Sequence, residues 1–351
     1  MHDQSLELQQ QVINALEQKQ ALTIRGGGSK AFLSPASEYL TLSVQEHQGI
    51  IDYHPSELVL TARAGTRLKD IETVLAEAGQ ILPFEPPQYS DKATLGGTVA
   101  SGLSGPIRPF TGRVRDFVLG CTLINGKGEI VKFGGQVMKN VAGYDVSRLM
   151  VGAMGTLGVL LEISIKVLPA FPVEQHLTQT LSPLQALQTM RHLRSHNLPL
   201  SGLAYDGQLL HLRLSGTGSA VSATARKLGG ERQNASDFWT QLRDHQHSFF
   251  QQSAPLWRIS VPPASDVIQV DGDQLIDWAG GLRWVTTTQA AEQVIELAAS
   301  LNGHARLFRH AAAGQGRLPV LPESLLSLHK KIKHSFDPQG IFNPGQLYSE
   351  F

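Results

Sequence analysis

Four short stretches of the chain are unusually rich in glycine: Arg25-Gly-Gly-Gly-Ser29, Thr94-Leu-Gly-Gly-Thr-Val-Ala-Ser-Gly-Leu-Ser-Gly105, Gly112-Arg-Val-Arg-Asp-Phe-Val-Leu-Gly120 and Gly155-Thr-Leu-Gly-Val159. Backbone without side-chain bulk can come close to a ligand, and successive N–H groups can converge on a phosphate. The first two stretches could therefore line a phosphate-rich cofactor through amide and hydroxyl donors. They could equally be tight turns, or places where two backbones pack closely. Neither is a dinucleotide fingerprint of the Rossmann kind, because no helix with that glycine spacing follows, and no phosphate-binding Gly-x-x-x-x-Gly-Lys-Ser/Thr loop occurs. Glycine makes up 34 of 351 residues, above the usual ~7%. The excess crowds the first 160 positions, and no glycine falls between Gly158 and Gly202.

A second kind of chemistry is suggested by Gly303-His-Ala-Arg-Leu-Phe-Arg-His310. In an extended segment His304, Arg306 and His310 share one face, with Arg309 opposite. A histidine with an arginine two positions away could act as a base and a carboxylate clamp. The same residues could form a basic strand paired with acidic neighbours, and both readings stand at this stage. His192 and His196 lie one turn apart on an expected helix, but without an evident third ligand they read as surface residues, and no metal is expected. His245 and His247 fit a polar helix face. The single cysteine, Cys121, reads as a small core hydrophobe.

The elements that must carry these groups follow from periodicity. Residues 5–19 form an amphipathic helix, and Ala21–Arg25 is a strand running into the triple glycine. Leu58–Ala62 is a strand leading into a helix on which Leu68, Ile71, Leu75 and Ala78 share a face. Asp116–Ile124 and Glu129–Phe133 are strands joined by the hairpin signal Asn125-Gly-Lys-Gly128. Val159–Val167 alternates apolar and polar residues. Beyond Pro172 the texture changes to helices (183–196, 219–228, 235–251, 289–301) among short strands such as Leu209–Leu214 and Trp257–Val261, an α+β pattern. A last helix, 323–335, carries Leu325, Leu328, Ile332 and Phe336 on one face, has Lys330, Lys331 and Lys333 near its negative end, and stops at Asp337-Pro338.

Composition narrows the function classes. Thirty basic and 30 acidic side chains cancel, which argues against nucleic-acid binding and against a polybasic lipid anchor. One cysteine cannot build a disulfide framework or an iron–sulfur cluster. No apolar run reaches the ~20 residues of a membrane span, and the first residues lack a signal-peptide layout, so a cytoplasmic location is expected.

Taken together, RGGGS, DYHPSELVLTARAGTRL, LPFEPPQ, TLGGTVASGLSG, GRVRDFVLG, KNVAGYDVSRL and GTLGV resemble, in content and order, the FAD-binding domain of the vanillyl-alcohol-oxidase (PCMH) type. The tail FDPQGIFNPG resembles the C-terminal signature of FAD-linked oxidases of 2-hydroxy acids. Within that family FEPPQ, KNVAGYDVSRL and GHARLFR are most similar to FAD-binding subunits of bacterial glycolate oxidases. The likeness covers nearly the whole chain, weakly in its middle third.

The resemblance implies an α+β fold: a PCMH-type FAD-binding domain at 1–172, a reduced α+β cap, substrate-like, at 173–320, and a C-terminal helix and tail at 321–351 returning to the FAD domain. It implies that Arg25, Gly26, Gly27, Gly28 and Ser29, with Thr94, Gly96, Gly97, Ser101 and Gly102, hold the FAD diphosphate. Asp116, Gly155, Thr156, Gly158 and Val159 would flank its ends, and Lys139, Asn140 and Tyr144 could line the flavin pocket. Ser29 follows the triple glycine where tethering relatives often place His or Cys, so the FAD is expected to be non-covalent. The residues His304, Arg306 and Arg309 are the candidates for catalysis. The pattern His-x-Gly-Asp-Gly-Asn-x-His of catalytic relatives is absent. Two functions follow: a subunit oxidising glycolate or another small-molecule 2-hydroxy acid, or an FAD-binding structural or electron-relay subunit with no oxidation of its own. Either way the resemblance implies a second FAD-containing catalytic subunit and an iron–sulfur subunit as partners, with membrane contact, at the inner face of the cell membrane, only through them. A cell-wall precursor reductase of the same fold is set aside, since its motifs do not resemble KNVAGYD or FDPQGIFNPG.

Overall fold

The computed structural model describes residues 2–34, 37–135, 145–233, 236–310 and 321–348. The chain divides into two compact units. The first comprises residues 1–104, 112–170 and 320–351; the second comprises 105–111 and 171–319. The excursion of Gly105–Thr111 into the second unit leaves no mark in the sequence pattern, because it is made by contacts distant along the chain.

The first unit is built around a five-stranded antiparallel sheet in the order Ile50–His54, Val59–Arg63, Val159–Lys166, Val118–Ile124, Ile130–Gly134. The alternating strand Val159–Lys166 is central, paired along both its edges. Leu161, Ile163 and Ile165 are buried, and Ser164 is buried as well, bonded to the Thr61 hydroxyl at 2.8 Å. On its polar face Ser164 is thus paired, while Glu162 and Lys166 are half-buried. Helix Leu68–Glu77 packs Leu68, Ile71 and Leu75 into a core with Leu60, Ile163 and Phe84. Helix Ser5–Glu17 buries Leu8, Val12 and Ala15 in a second cluster with Leu22, Leu42, Val159 and Phe342. There a short parallel pair, Leu22–Arg25 with Leu40–Ser43, receives the C-terminal tail: Phe342 bridges to Leu22 in parallel, and Leu22 N–H donates to Ile341 C=O at 2.7 Å.

The second unit holds an eight-stranded sheet ordered Glu231–Gln233, Val173–Thr180, Leu209–Gly216, Leu200–Tyr205, Asp273–Asp277, Leu282–Thr286, Leu256–Ser260, His304–Arg309, with antiparallel pairing throughout. Its two halves meet at a single register pair, Tyr205 with Ile276. Helices Pro183–Arg194 and Gly218–Leu228 cover one half, and Ala291–Ser300 contributes Val294 and Ala298 to the core of the other.

Several expectations need correction. Asp116 is not in a strand: Val114–Phe117 is a helical turn, and the strand begins at Val118. Asp116 closes that turn by accepting from the Arg113 N–H at 3.0 Å, a local bond that competes with sheet pairing. The expected helix 235–251 breaks in two. Ser236–Arg243 is helical, and Ser248–Gln251 is a separate 3₁₀ turn after His245 (φ 56°). His245 consequently turns inward, fully buried and stacked on Phe250 at 3.8 Å, instead of lying on a polar face. On the last helix, Glu323–Phe336, only Ile332 and Phe336 pack on the core, while Leu325 and Leu328 are exposed. Lys333 is buried rather than decorating the helix end.

Candidate functional site

The strand Leu22–Arg25 ends in the loop Gly26–Ser29, and among the described residues no acceptor takes the amides of Gly26, Gly27, Gly28 or Ser29. Gly28 is left-handed (φ 73°) with open space where a Cβ would stand. Gly26 lies against Thr94, whose Oγ1 is 2.6 Å from the position of a Cβ. Gly27 is pressed on the backbone carbonyl of Lys92, so any side chain there collides with main chain. The triple glycine is thus set down on the start of the second glycine stretch, with four N–H groups uncommitted. That is the donor set of an anion nest.

The second stretch is a seven-residue helix, Leu95–Ser101, capped by Thr94, whose hydroxyl accepts from Gly97 N–H at 3.2 Å. Its first amides are engaged: Leu95 donates to Thr66 C=O and Gly96 to Ala64 C=O. Gly96 serves close approach, since its Cβ would stand 2.8 Å from that of Ala64. Gly97 differs, because a Cβ there would meet only the Thr94 hydroxyl, at 3.2 Å. Ser101 donates back to Thr98 C=O, and Gly102 (φ 64°) ends the helix against Gly152. The backbone-packing alternative therefore describes Gly26, Gly27, Gly96 and Gly102, while Gly28 and Gly97 face space that a ligand could use.

The fourth stretch joins the same neighbourhood. Met154 N–H donates to Ala100 C=O at 2.9 Å, linking the turn before Gly155 to the helix. Thr156 is buried with its hydroxyl on Ala153 C=O, Gly158 packs on Ile124 C=O, and Val159 starts the central strand with its side chain in the core. Asp116, committed to its cap, is half exposed. Lys139, Asn140 and Tyr144 lie outside the described residues. Cys121 is buried, and burial pushes its thiol up to about 11.

In the second unit His304 and Arg306 share one face of the edge strand His304–Arg309, with Arg306 in register with Arg258 on the next strand. The neighbour is therefore basic, not acidic. A register shift places Arg309, and not Phe308, across from Leu256, so the alternation that would set Arg309 opposite Arg306 is broken by a bulge. Arg108 and Arg258 lie over the ring of Trp278, at 3.9 and 4.9 Å. Burial, and then the Arg258 charge, push His304 below its ordinary value, leaving a neutral imidazole able to accept a proton beside guanidinium groups. His192, on the last turn of helix Pro183–Arg194, and His196, just beyond the end of that helix, have tilted rings 4.4 Å apart.

Sequence reasoning missed three groups. Thr98 has a buried hydroxyl without a partner inside the glycine-rich helix. Asn343 and Lys333 bind loops of the first unit from the tail. Within the second unit, His176 Nε2 and His211 Nδ1 lie 3.1 Å apart, and His211 Nε2 meets Asp206 at 3.0 Å, beside a cavity of about 500 Å³ that Asp206, His247 and Gln252 help to line. Only Thr98 and Asn343 had a signal, since they fall inside quoted motifs; Lys333 and the histidine pair do not.

Glycolate oxidase subunit GlcE of Escherichia coli (strain K12) is 47% identical to this chain over 348 residues, 99% of this chain and 98% of that protein. The chain belongs to the GlcE family of glycolate oxidase subunits. Residues 4–134 match the model of an FAD binding domain, so this GlcE-family chain carries a domain for FAD. Glycolate oxidase subunit GlcD of Bacillus subtilis (strain 168) is 30% identical over 156 residues, 44% of this chain and 33% of that one. A solved structure of alkyldihydroxyacetonephosphate synthase superposes with a TM-score of 0.69 at 16% identity, over 99% of this chain and 76% of that chain, which shows the fold alone. The α+β fold with a PCMH-type FAD domain is thereby confirmed. The GlcE-family residues fit the cofactor on the geometry above: the four free amides of Gly26–Ser29 suit a diphosphate, and Gly97 leaves room for it. Among the described residues, no helix is long and apolar enough to cross a membrane.

Proposed function

We propose that this chain is the FAD-holding subunit of a glycolate oxidase, oxidising glycolate to glyoxylate with the electrons passed to partner subunits. The observation that carries the reading is 47% identity to GlcE over nearly the whole chain, with the amides of the Gly26–Ser29 loop left free to take a diphosphate. FAD, when bound, supplies the acceptor for the α-hydrogen of a 2-hydroxy acid as hydride. The chain's own part is to hold the diphosphate non-covalently on Gly26–Ser29, Thr94 and Gly97. The second unit acts as the substrate-side cap: His304 takes the hydroxyl proton, and Arg306 with Arg309 holds the carboxylate. With a single cysteine, onward transfer belongs to partners, a second FAD-containing subunit and an iron–sulfur subunit, and membrane contact on the cytoplasmic side runs through them.

A second reading, an FAD-binding relay or structural subunit with no oxidation of its own, is favoured by one observation. The cluster His-x-Gly-Asp-Gly-Asn-x-His is absent from the sequence. Anaerobic glycolate added to the FAD-loaded chain separates the two. Bleaching of the flavin absorbance by the chain alone is the result expected of the first. Bleaching that waits for the second FAD subunit assigns the oxidation to that partner.

A further inference from the structure

One side chain of the tail signature spans two of the glycine-rich loops. Asn343 accepts from Ile24 N–H at 2.7 Å through Oδ1 and donates to Met154 C=O at 2.6 Å through Nδ2. Ile24 lies two residues before Gly26; Met154 immediately precedes Gly155. Asn343 is itself fixed: its N–H donates to Leu22 C=O at 2.9 Å, it is 6% exposed, and its φ of 44° suits asparagine among residues with side chains. Contact with Gly155 is close enough that a Cβ there would stand 2.5 Å from Nδ2.

The support behind it is a buried ion pair. Lys333 Nζ donates to Asp337 at 2.6 Å, to Phe342 C=O at 2.9 Å and to Thr156 C=O at 2.8 Å, and Asp337 accepts from the N–H groups of Ile341 and Phe342. The same turn, 154–156, is therefore gripped twice from the tail, once by Asn343 and once by Lys333.

From this geometry we infer that Asn343 is a positioning residue for FAD: through its bonds to Ile24 and Met154 it sets the spacing between the Gly26–Ser29 loop and the Met154–Gly158 turn on which FAD affinity depends. The inference rests on the reading of these loops as the FAD cradle. An amide is required because one side must accept and the other donate. A carboxylate would face the Met154 carbonyl with a second acceptor, and an alkyl group would leave Ile24 N–H and Met154 C=O without partners.

The test is FAD titration of apoprotein by flavin fluorescence, for the full chain and for Asn343→Leu, Asn343→Asp and Leu75→Ala, each checked as folded by circular dichroism. Leu75→Ala removes buried bulk in the same unit without touching the Asn343 hydrogen bonds, and controls for lost stability. Expected are a rise in Kd of at least tenfold for Asn343→Leu and Asn343→Asp, and a change within twofold for Leu75→Ala. A protonated carboxyl again offers one donor and one acceptor. Asn343→Asp should therefore regain affinity relative to the parent chain between pH 8 and pH 5, and Asn343→Leu should not. If Asn343→Leu does not fold, the pH profile of Asn343→Asp decides alone. Parent-like affinity in both variants, or a loss matched by Leu75→Ala with no recovery at pH 5, overturns the inference. A parent chain that binds no FAD overturns the cradle reading and the inference with it. A parent that binds while the variants bind equally well overturns the inference alone.

Discussion

At the scale of single residues, glycines that look alike in the sequence do different things. Gly27 is glycine because Lys92 backbone lies against it, and Gly97 because the space beside it is open to a ligand. Paired variants separate the two roles. Gly97→Val should leave the apoprotein fold in place, at a cost of about 1 kcal/mol or less, while abolishing FAD retention. Gly27→Val should unfold the first unit whether or not FAD is present. Flavin content after gel filtration and the circular-dichroism melt of each apoprotein check this. Retained flavin in Gly97→Val would remove that position from the site. The glycine stretches were legible as cofactor-like, but their sorting into packing and ligand-facing positions was not. It depends on Ala64, Lys92 and Gly152, which approach only in the folded chain. Asn343 was hidden for the same reason: its two partners are more than 180 residues away.

At the scale of elements, local pattern was readable where neighbours in sequence set the structure. The hairpin at Asn125–Gly128 forms as expected, with the Asn125 side chain accepting from Lys127 and Glu129 amides. Pattern failed where a partner strand or a cap decides. Arg309 is turned by a bulge fixed by Leu256 and Trp257, and Asp116 by its bond to Arg113. The buried imidazole pair of the second unit is another product of strand pairing. Val173–Thr180 and Leu209–Gly216 set His176 diagonally from His211, and Phe238 stacks on the latter at 3.6 Å. Burial, then His211 and Arg213, lower His176 to about 4 from an ordinary 6.5. A base whose folded value is depressed stabilises the fold above its unfolded value. That contribution is lost as pH falls from about 6.5 to about 4, on the order of 3 kcal/mol. All four tryptophans lie in this unit, so tryptophan-monitored urea unfolding reads it selectively. The stability of the parent chain should fall across that interval, and His176→Gln should flatten the fall. Parallel curves for the two would show that His176 is not buried neutral.

At the scale of the whole molecule, the neutral charge balance and the single cysteine restrict what the chain can do alone, and family membership places it among glycolate oxidase subunits. The α+β fold, the FAD domain and the glycolate oxidase kinship were all legible, because seven short motifs in order constrain a fold more tightly than any one of them. The excursion of Gly105–Thr111 and the double grip of the tail on the turn 154–156 were not, since both are made by contacts between distant segments. The central proposal is that this chain holds FAD on a backbone-lined cradle without a covalent bond. The most direct test is the flavin content of the purified chain, reconstituted with FAD, desalted, and then denatured in acid. Close to one FAD per chain is expected, all of it released into the supernatant. A colourless protein that retains no FAD, or flavin that stays with the precipitated chain, would contradict it.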